Sequence, residues 1–161
     1  MKRKTTTAVN ELKRILLVED SANDVALSLA ALEEINLANE VVVVRDGQQA
    51  LDFLRRQGAY LERTDGNPAV VLLDLKLPKV DGIEVLAQVK GDPELRKVPI
   101  VMLTSSREER DLTRSYGLGV NAYVVKPVAF PDFVSALKEL GLFWAVVNQP
   151  PPGSIVQPAR R

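Results

Sequence analysis

Short apolar runs alternate with longer amphipathic stretches along the whole chain. The runs are "RILLV" (Arg14 to Val18), "EVVVVR" (Glu40 to Arg45), "AVVLL" (Ala69 to Leu73), "PIVML" (Pro99 to Leu103) and "AYVV" (Ala122 to Val125). Each is short and most are rich in β-branched residues, so they read as strands buried on both faces. Between them lie helical spacings. Asn23 to Leu37 puts Val25, Leu29, Leu32 and Ile35 on one face. Gln48 to Arg56, Ile83 to Lys90 and the more polar Glu108 to Tyr116 follow, and Asp132 to Val147 repeats apolar residues at Phe133, Leu137, Leu140, Trp144 and Val147. Strand then helix, five times over, predicts an α/β fold. Right-handed crossovers narrow it to a doubly wound parallel sheet with helices on both faces.

Three segments stand outside this alternation. Residues 1–13 read as a flexible leader and residues 148–161, "NQPPPGSIVQPARR", as a proline-rich tail that cannot be helical, which leaves residues 14–147 as one domain. "RQGAYLERTDGNP" (Arg56 to Pro68) reads as a long loop or an extension of the second helix, and Asp81-Gly82 as a turn.

Composition removes several chemistries. The 161 residues contain no cysteine and no histidine. Disulfides, thiolate catalysis, Ser-His-Asp catalysis, histidine-bound zinc and a phosphohistidine on this chain are therefore excluded. Absence of cysteine fits a cytoplasmic location. Lys+Arg and Asp+Glu both number 21, so no basic excess points to nucleic acid or an anionic membrane. No apolar run reaches membrane-spanning length, and the charged N-terminus lacks the apolar stretch of a signal peptide.

The remaining chemistry collects at strand ends. Glu19 and Asp20 follow the first run, Asp74 the third, Thr104 and Ser105 the fourth, and Lys126-Pro127 the fifth. In a doubly wound sheet these positions share the carboxyl edge, where ligands bind. Two carboxylates ~4 Å apart repel by roughly 4 kcal/mol at an effective dielectric of ~20. Such a cluster raises one pKa or admits a cation, and hard oxygen ligands favour Mg²⁺ or Mn²⁺. With the charge neutralised, Asp74 becomes a nucleophile toward phosphorus, Lys126 a partner for phosphoryl charge and Thr104 a hydrogen-bonding partner. Alone, each residue has an ordinary reading: Asp20 as a helix cap, Asp74 as a charge where the chain leaves the sheet, Lys126 as a solvated lysine.

The set "VED" (Val18 to Asp20), "LLDLKLPKVDG" (Leu72 to Gly82), "MLTSS" (Met102 to Ser106) and "YVVKP" (Tyr123 to Pro127) resembles the receiver domain of bacterial two-component response regulators. Thr104 stands 30 positions and Lys126 52 positions after Asp74, and the resemblance covers about residues 13 to 142. It implies a flavodoxin-like sheet of strand order 2-1-3-4-5, with Asp74 as phosphoacceptor. It further implies Mg²⁺ held by Asp20 directly, by Glu19 through water, by Asp74 and by the backbone carbonyl of Lys76. Thr104 would read the phosphoryl group, Tyr123 would be the switch aromatic, and a cis peptide would precede Pro127. Glu19 stands where aspartate is commoner.

Other classes fit less well. A haloacid-dehalogenase-type phosphatase needs an acid two residues after its nucleophile, where this chain has Lys76. A nucleotide-binding fold needs a Gly-, Ser- or Thr-rich loop after the first strand, where this chain has Glu19 and Asp20. An interaction module that works without phosphorylation stays open as the alternative. The stretch "LKELGLFWAVVNQPPP" (Leu137 to Pro152) resembles the small regulators that partner bacterial phytochrome histidine kinases. That implies a sensor histidine kinase partner of the bacteriophytochrome type. It also implies a homodimer through the fourth and fifth helices and the fifth strand, with Phe143 and Trp144 at the interface.

Overall fold

The computed structural model describes residues 14–35, 41–105, 108–126 and 129–147; at residue 109 and residues 140–147 only the backbone is described. The expected leader and tail, and the peptide bond before Pro127, lie outside the described residues. So do the side chains of Phe143 and Trp144.

Among the described residues, five strands and five helices alternate: β1 (Ile15–Val18), α1 (Ala22–Glu34), β2 (Val41–Val44), α2 (Gly47–Arg55), β3 (Val70–Leu73), α3 (Gly82–Lys90), β4 (Ile100–Thr104), α4 (Glu109–Gly117), β5 (Ala122–Val125) and α5 (Phe130–Val147). All strand pairs are parallel, in the order β2-β1-β3-β4-β5. This is the expected flavodoxin-like sheet.

Alternation along each strand divides the core in two. Leu16, Val18, Val71, Leu73, Ile100 and Met102 face one cluster, which α2 and α3 cover with Leu51, Leu54, Val85, Leu86 and Val89. Ile15, Leu17, Val70, Leu72, Val101 and Leu103 face the other, which α1 and α5 cover with Val25, Ala31, Leu32, Phe133 and Leu137. The central strands β1, β3 and β4 are buried throughout, as their unbroken apolar runs predict. The edge strands differ from the expectation of burial on both faces: β5 is half-buried along its length, and β2 at three of four positions. Each has a neighbour on one side only, so its helices cover it incompletely.

Helix starts follow side-chain capping. Ser21, rather than Asp20, caps α1 by accepting from the Asp24 amide. Asp46 caps α2 and Asp81 caps α3 in the same way. Asp81-Gly82 is therefore a helix start, where the sequence suggested only a turn. Residues 56–68 do not extend α2. Arg56 ends that helix in the left-handed conformation, and a single 3-10 turn, Gly58–Tyr60, follows. The Arg63 guanidinium then lies 4.0 Å over the Phe53 ring and donates to the Phe53 carbonyl at the end of α2.

The loop from β3 to α3, "DLKLPKVDG", is pinned by two glycines. The Gly82 amide donates to the Leu75 carbonyl, and a Cβ at Gly82 would lie 2.1 Å from the Asp74 carbonyl oxygen. The Gly47 amide donates to the Pro78 carbonyl, and a Cβ there would lie 1.7 Å from the Val80 carbonyl oxygen. Lys79, between these anchors, has φ 68, a left-handed conformation that costs a non-glycine residue free energy. Both opposing atoms are backbone and cannot swing aside. Gly82→Ala and Gly47→Ala should each destabilise the protein by about 1–3 kcal/mol, the usual cost of overpacking. Urea denaturation checks this, and an unchanged midpoint for both would show that the loop is not held by these contacts.

Candidate functional site

The parallel ladder runs one residue past the apolar strands. The Glu19 amide donates to the Val44 carbonyl, Asp74 to Val18 and Lys126 to Thr104, at 3.0, 3.1 and 2.8 Å. Each is the first polar residue after its strand, so three ionisable side chains leave the same sheet edge from backbones that are already hydrogen-bonded. Thr104 itself is the last residue of β4 and is buried.

The side chains converge on the Lys126 ammonium. Its Nζ lies 2.7 Å from Glu19 Oε1, 3.1 Å from Asp24 Oδ2 and 3.9 Å from Asp74 Oδ2. Lys126 is therefore far from a solvated lysine, with only 10% of its side chain exposed. Asp74 Oδ1 accepts from the Leu75 amide at 2.7 Å, which sets the orientation of the carboxylate. Glu19 is almost fully buried, and its Oε2 accepts from the Ser21 amide.

Burial dominates the electrostatics. It pushes the Glu19 carboxyl up from 4.5 to about 7; the Asp74 charge adds to the rise, while the hydrogen bond and charge of Lys126 oppose it. Burial also works against the Lys126 charge, but the bonds and charges of Glu19, Asp74 and Asp24 overcome it and leave the ammonium above its ordinary 10.5. One cation thus faces three carboxylates.

Sequence reasoning names most of these residues. Glu19, Asp74 and Lys126 meet directly. Asp20 does not join them: it is exposed and, with Lys76, lines a groove of about 600 Å³ that continues past Asp81 and Glu84 to Asp111 and Arg114. Tyr123 is half-buried on β5, beside Met102 of β4, and packs against the cluster under α2 and α3. The residue that sequence reasoning missed is Asp24. Its carboxylate lies with those of Glu19 and Asp74 in one group whose oxygens are all within 4.8 Å of one another. In the sequence it reads as an acid in the first turn of a helix, a common and unremarked placement. The only hint is its position four residues after Asp20, one helical turn from the strand end.

Comparison with known proteins gives a consistent answer. The family model of the response regulator receiver domain matches residues 15–138. Response regulator Rcp1 of Synechocystis sp. is 42% identical over 135 residues, covering 84% of this chain and 90% of that protein. A solved structure of its Mn²⁺-bound form has a TM-score of 0.77 at 40% identity, covering 86% of this chain and 99% of the other. The phosphorylated cyanobacterial phytochrome response regulator RcpA superposes with a TM-score of 0.78 at 41% identity, covering 86% and 98%. The bacteriophytochrome response regulator RtBRR is 64% identical, with a TM-score of 0.72, covering 89% of this chain and 86% of that one. The chain belongs to the response regulator receiver domain family and is related within it to the phytochrome response regulators.

Proposed function

We propose that this protein is a cytoplasmic, single-domain response regulator that accepts a phosphoryl group on Asp74 from the phosphohistidine of a sensor histidine kinase. Phosphorylation-dependent protein contacts would carry the signal onward. The observation that carries this reading is the approach of the Lys126 ammonium to the Asp74 carboxylate, 3.9 Å apart at the carboxyl edge of the sheet. A bacteriophytochrome is the proposed source of the phosphoryl group, supported by the 64% identity to a bacteriophytochrome response regulator.

Receiver domains bind a divalent metal, and the donor set here suits one. Glu19 and Asp74 offer hard carboxylate oxygens within 4.8 Å of each other, at an edge with an excess of negative charge. Mg²⁺ is the proposed ion, held by Asp20, Glu19, Asp74 and the Lys76 carbonyl, and Mn²⁺ is an alternative. When bound, it offsets the charge of the carboxylates and of the incoming phosphoryl oxygens. The rest falls to the chain. An Asp74 carboxylate oxygen attacks phosphorus; the O–P bond forms as the N–P bond to the kinase histidine breaks, and the imidazole leaves with that electron pair. Lys126 pairs with a phosphoryl oxygen and Thr104 hydrogen-bonds to another, so alignment and charge supply the catalysis. Tyr123, on the strand hydrogen-bonded to that of Thr104, transmits the change.

A homodimer is proposed through α4, β5 and α5. Leu112 and Tyr116 lie one turn apart on α4, and with Phe130 at the start of α5 they are among the exposed large apolar residues, beside the half-covered edge strand β5. Phe143 and Trp144 are proposed to extend the interface.

Three measurements test these statements. With Mg²⁺ and acetyl phosphate, intact mass should show a phosphate adduct on the wild type and none on Asp74→Asn; equal labelling of both would refute the acceptor assignment. An unlabelled wild type that also stays unlabelled by a cognate kinase would favour the phosphorylation-independent module. Light scattering should give a dimer for the wild type and a monomer for Leu112→Asp/Tyr116→Asp, and a wild-type monomer at micromolar concentration would end the dimer proposal. The third concerns pH. A carboxyl raised from 4.5 to about 7 contributes stability that is complete below 4.5 and lost as pH rises through 7. In EDTA, Glu19→Gln should therefore gain stability over the wild type between pH 5 and pH 8, on the order of 2–3 kcal/mol. Urea denaturation at the two pH values measures it, and a pH-independent difference contradicts it.

A further inference from the structure

We propose that Asp24 is a positioning residue that holds Lys126 off Asp74 in the resting protein and so restrains phosphoryl transfer. This rests on the proposed acceptor role of Asp74 and assigns a function to a residue outside the expected acceptor, metal and switch set.

The geometry points to it. Lys126 has three N–H donors. Two acceptors lie at hydrogen-bonding distance, Glu19 at 2.7 Å and Asp24 at 3.1 Å, while Asp74 at 3.9 Å is beyond it. The ammonium therefore rests on the two acids that do not receive the phosphoryl group. Asp24 is held in place for this. Its amide donates to the Ser21 hydroxyl in the cap of α1, so its backbone is fixed before its side chain reaches Lys126. The contact joins the first turn of α1 to the residue after β5, 102 positions apart in the chain.

The two resting partners are not equivalent. Glu19 belongs to the proposed metal set, so a cation draws its charge away from Lys126. Asp24 is outside the set implied by the family resemblance, and its charge still competes for the ammonium when the phosphoryl group arrives. The Asp24 side chain is 41% exposed, so solvent weakens the competition without abolishing it. Loss of Asp24 is expected to raise the phosphorylation rate about two- to fivefold, in the range of partly exposed ion pairs.

The test compares wild type, Asp24→Ala and Asp24→Asn. Competitive acylation of lysines in EDTA, read by mass spectrometry, should show Lys126 at least three times more reactive in both variants, with other lysines unchanged. With acetyl phosphate at saturating Mg²⁺, the maximal rate should rise while the half-saturating donor concentration stays put. A fall in that concentration alone, erased by high salt, would mean that Asp24 acts only as a distant charge, and would overturn the proposal. Titration calorimetry should give Mg²⁺ affinities within about twofold of wild type. A tenfold loss of affinity with slower phosphorylation would instead make Asp24 a metal ligand and overturn it too. Unchanged Lys126 acylation refutes the restraint whatever the kinetics. A wild type that takes no phosphoryl group from any donor would refute the acceptor reading, with the acylation result still deciding whether Asp24 holds Lys126.

Discussion

The main-chain ladder carried one residue beyond the apolar strands is the constraint on which the site depends. Glu19, Asp74 and Lys126 each leave the sheet from an amide bonded to the neighbouring strand. The same register sets the alternation that sends Leu16 and Val18 to one core cluster and Ile15 and Leu17 to the other. A slip of one residue would exchange the two cores and turn each of these ionisable side chains to the opposite face. Packing of the core and placement of the acids are therefore one requirement, and the buried strands β1, β3 and β4 hold it most firmly because they have neighbours on both sides.

Around that rigid edge the protein accepts local cost. Glu19 is an acid buried where burial favours its neutral form. Lys79 takes a left-handed conformation in the loop after Asp74. Gly47 and Gly82 let two backbone segments approach that loop more closely than any side chain would permit. Such costs concentrate where geometry serves a site rather than stability. The favourable burial that sustains them lies a few residues back along the strands.

Much of this was legible in the residues themselves. Four apolar runs that end in an acid, a hydroxyl or a lysine mark the edge jointly, since each of these residues alone has an ordinary reading as a cap, an exit charge or a solvated side chain. The motifs around Asp20, Asp74, Thr104 and Lys126, in that order and at those separations, resemble the receiver family that the family model then matched. What could not be read is whatever depends on contact across the chain. Asp24 sits on a helix, so no strand-end pattern marks it, and only the approach of Lys126 from 102 residues away shows its place in the pocket. Asp20 also reads from the sequence as the cap of α1, yet that cap falls to Ser21, a difference of one residue that depends on where the helix turns in. The incomplete burial of β2 and β5 follows from their edge positions, which an apolar run alone does not reveal.

The charge balance also shows how a local reaction can reach a distant surface. Lys126 is the internal counter-ion of Glu19 and Asp24, and its backbone amide is bonded to the carbonyl of Thr104. A phosphoryl group on Asp74 would add charge between these residues and draw both Lys126 and Thr104 toward it. Phosphorylation in this reading is an exchange of partners among groups already gathered. The two groups that would move are tied to adjacent strands, with Thr104 beside Val125 and Met102 beside Tyr123. Their displacement would therefore act on β5, the edge strand with the least cover, and on the neighbouring α4, where Leu112 and Tyr116 are exposed. The weakly covered edge is the part of the sheet that can yield at least cost, because a central strand could shift only by breaking ladders on both sides.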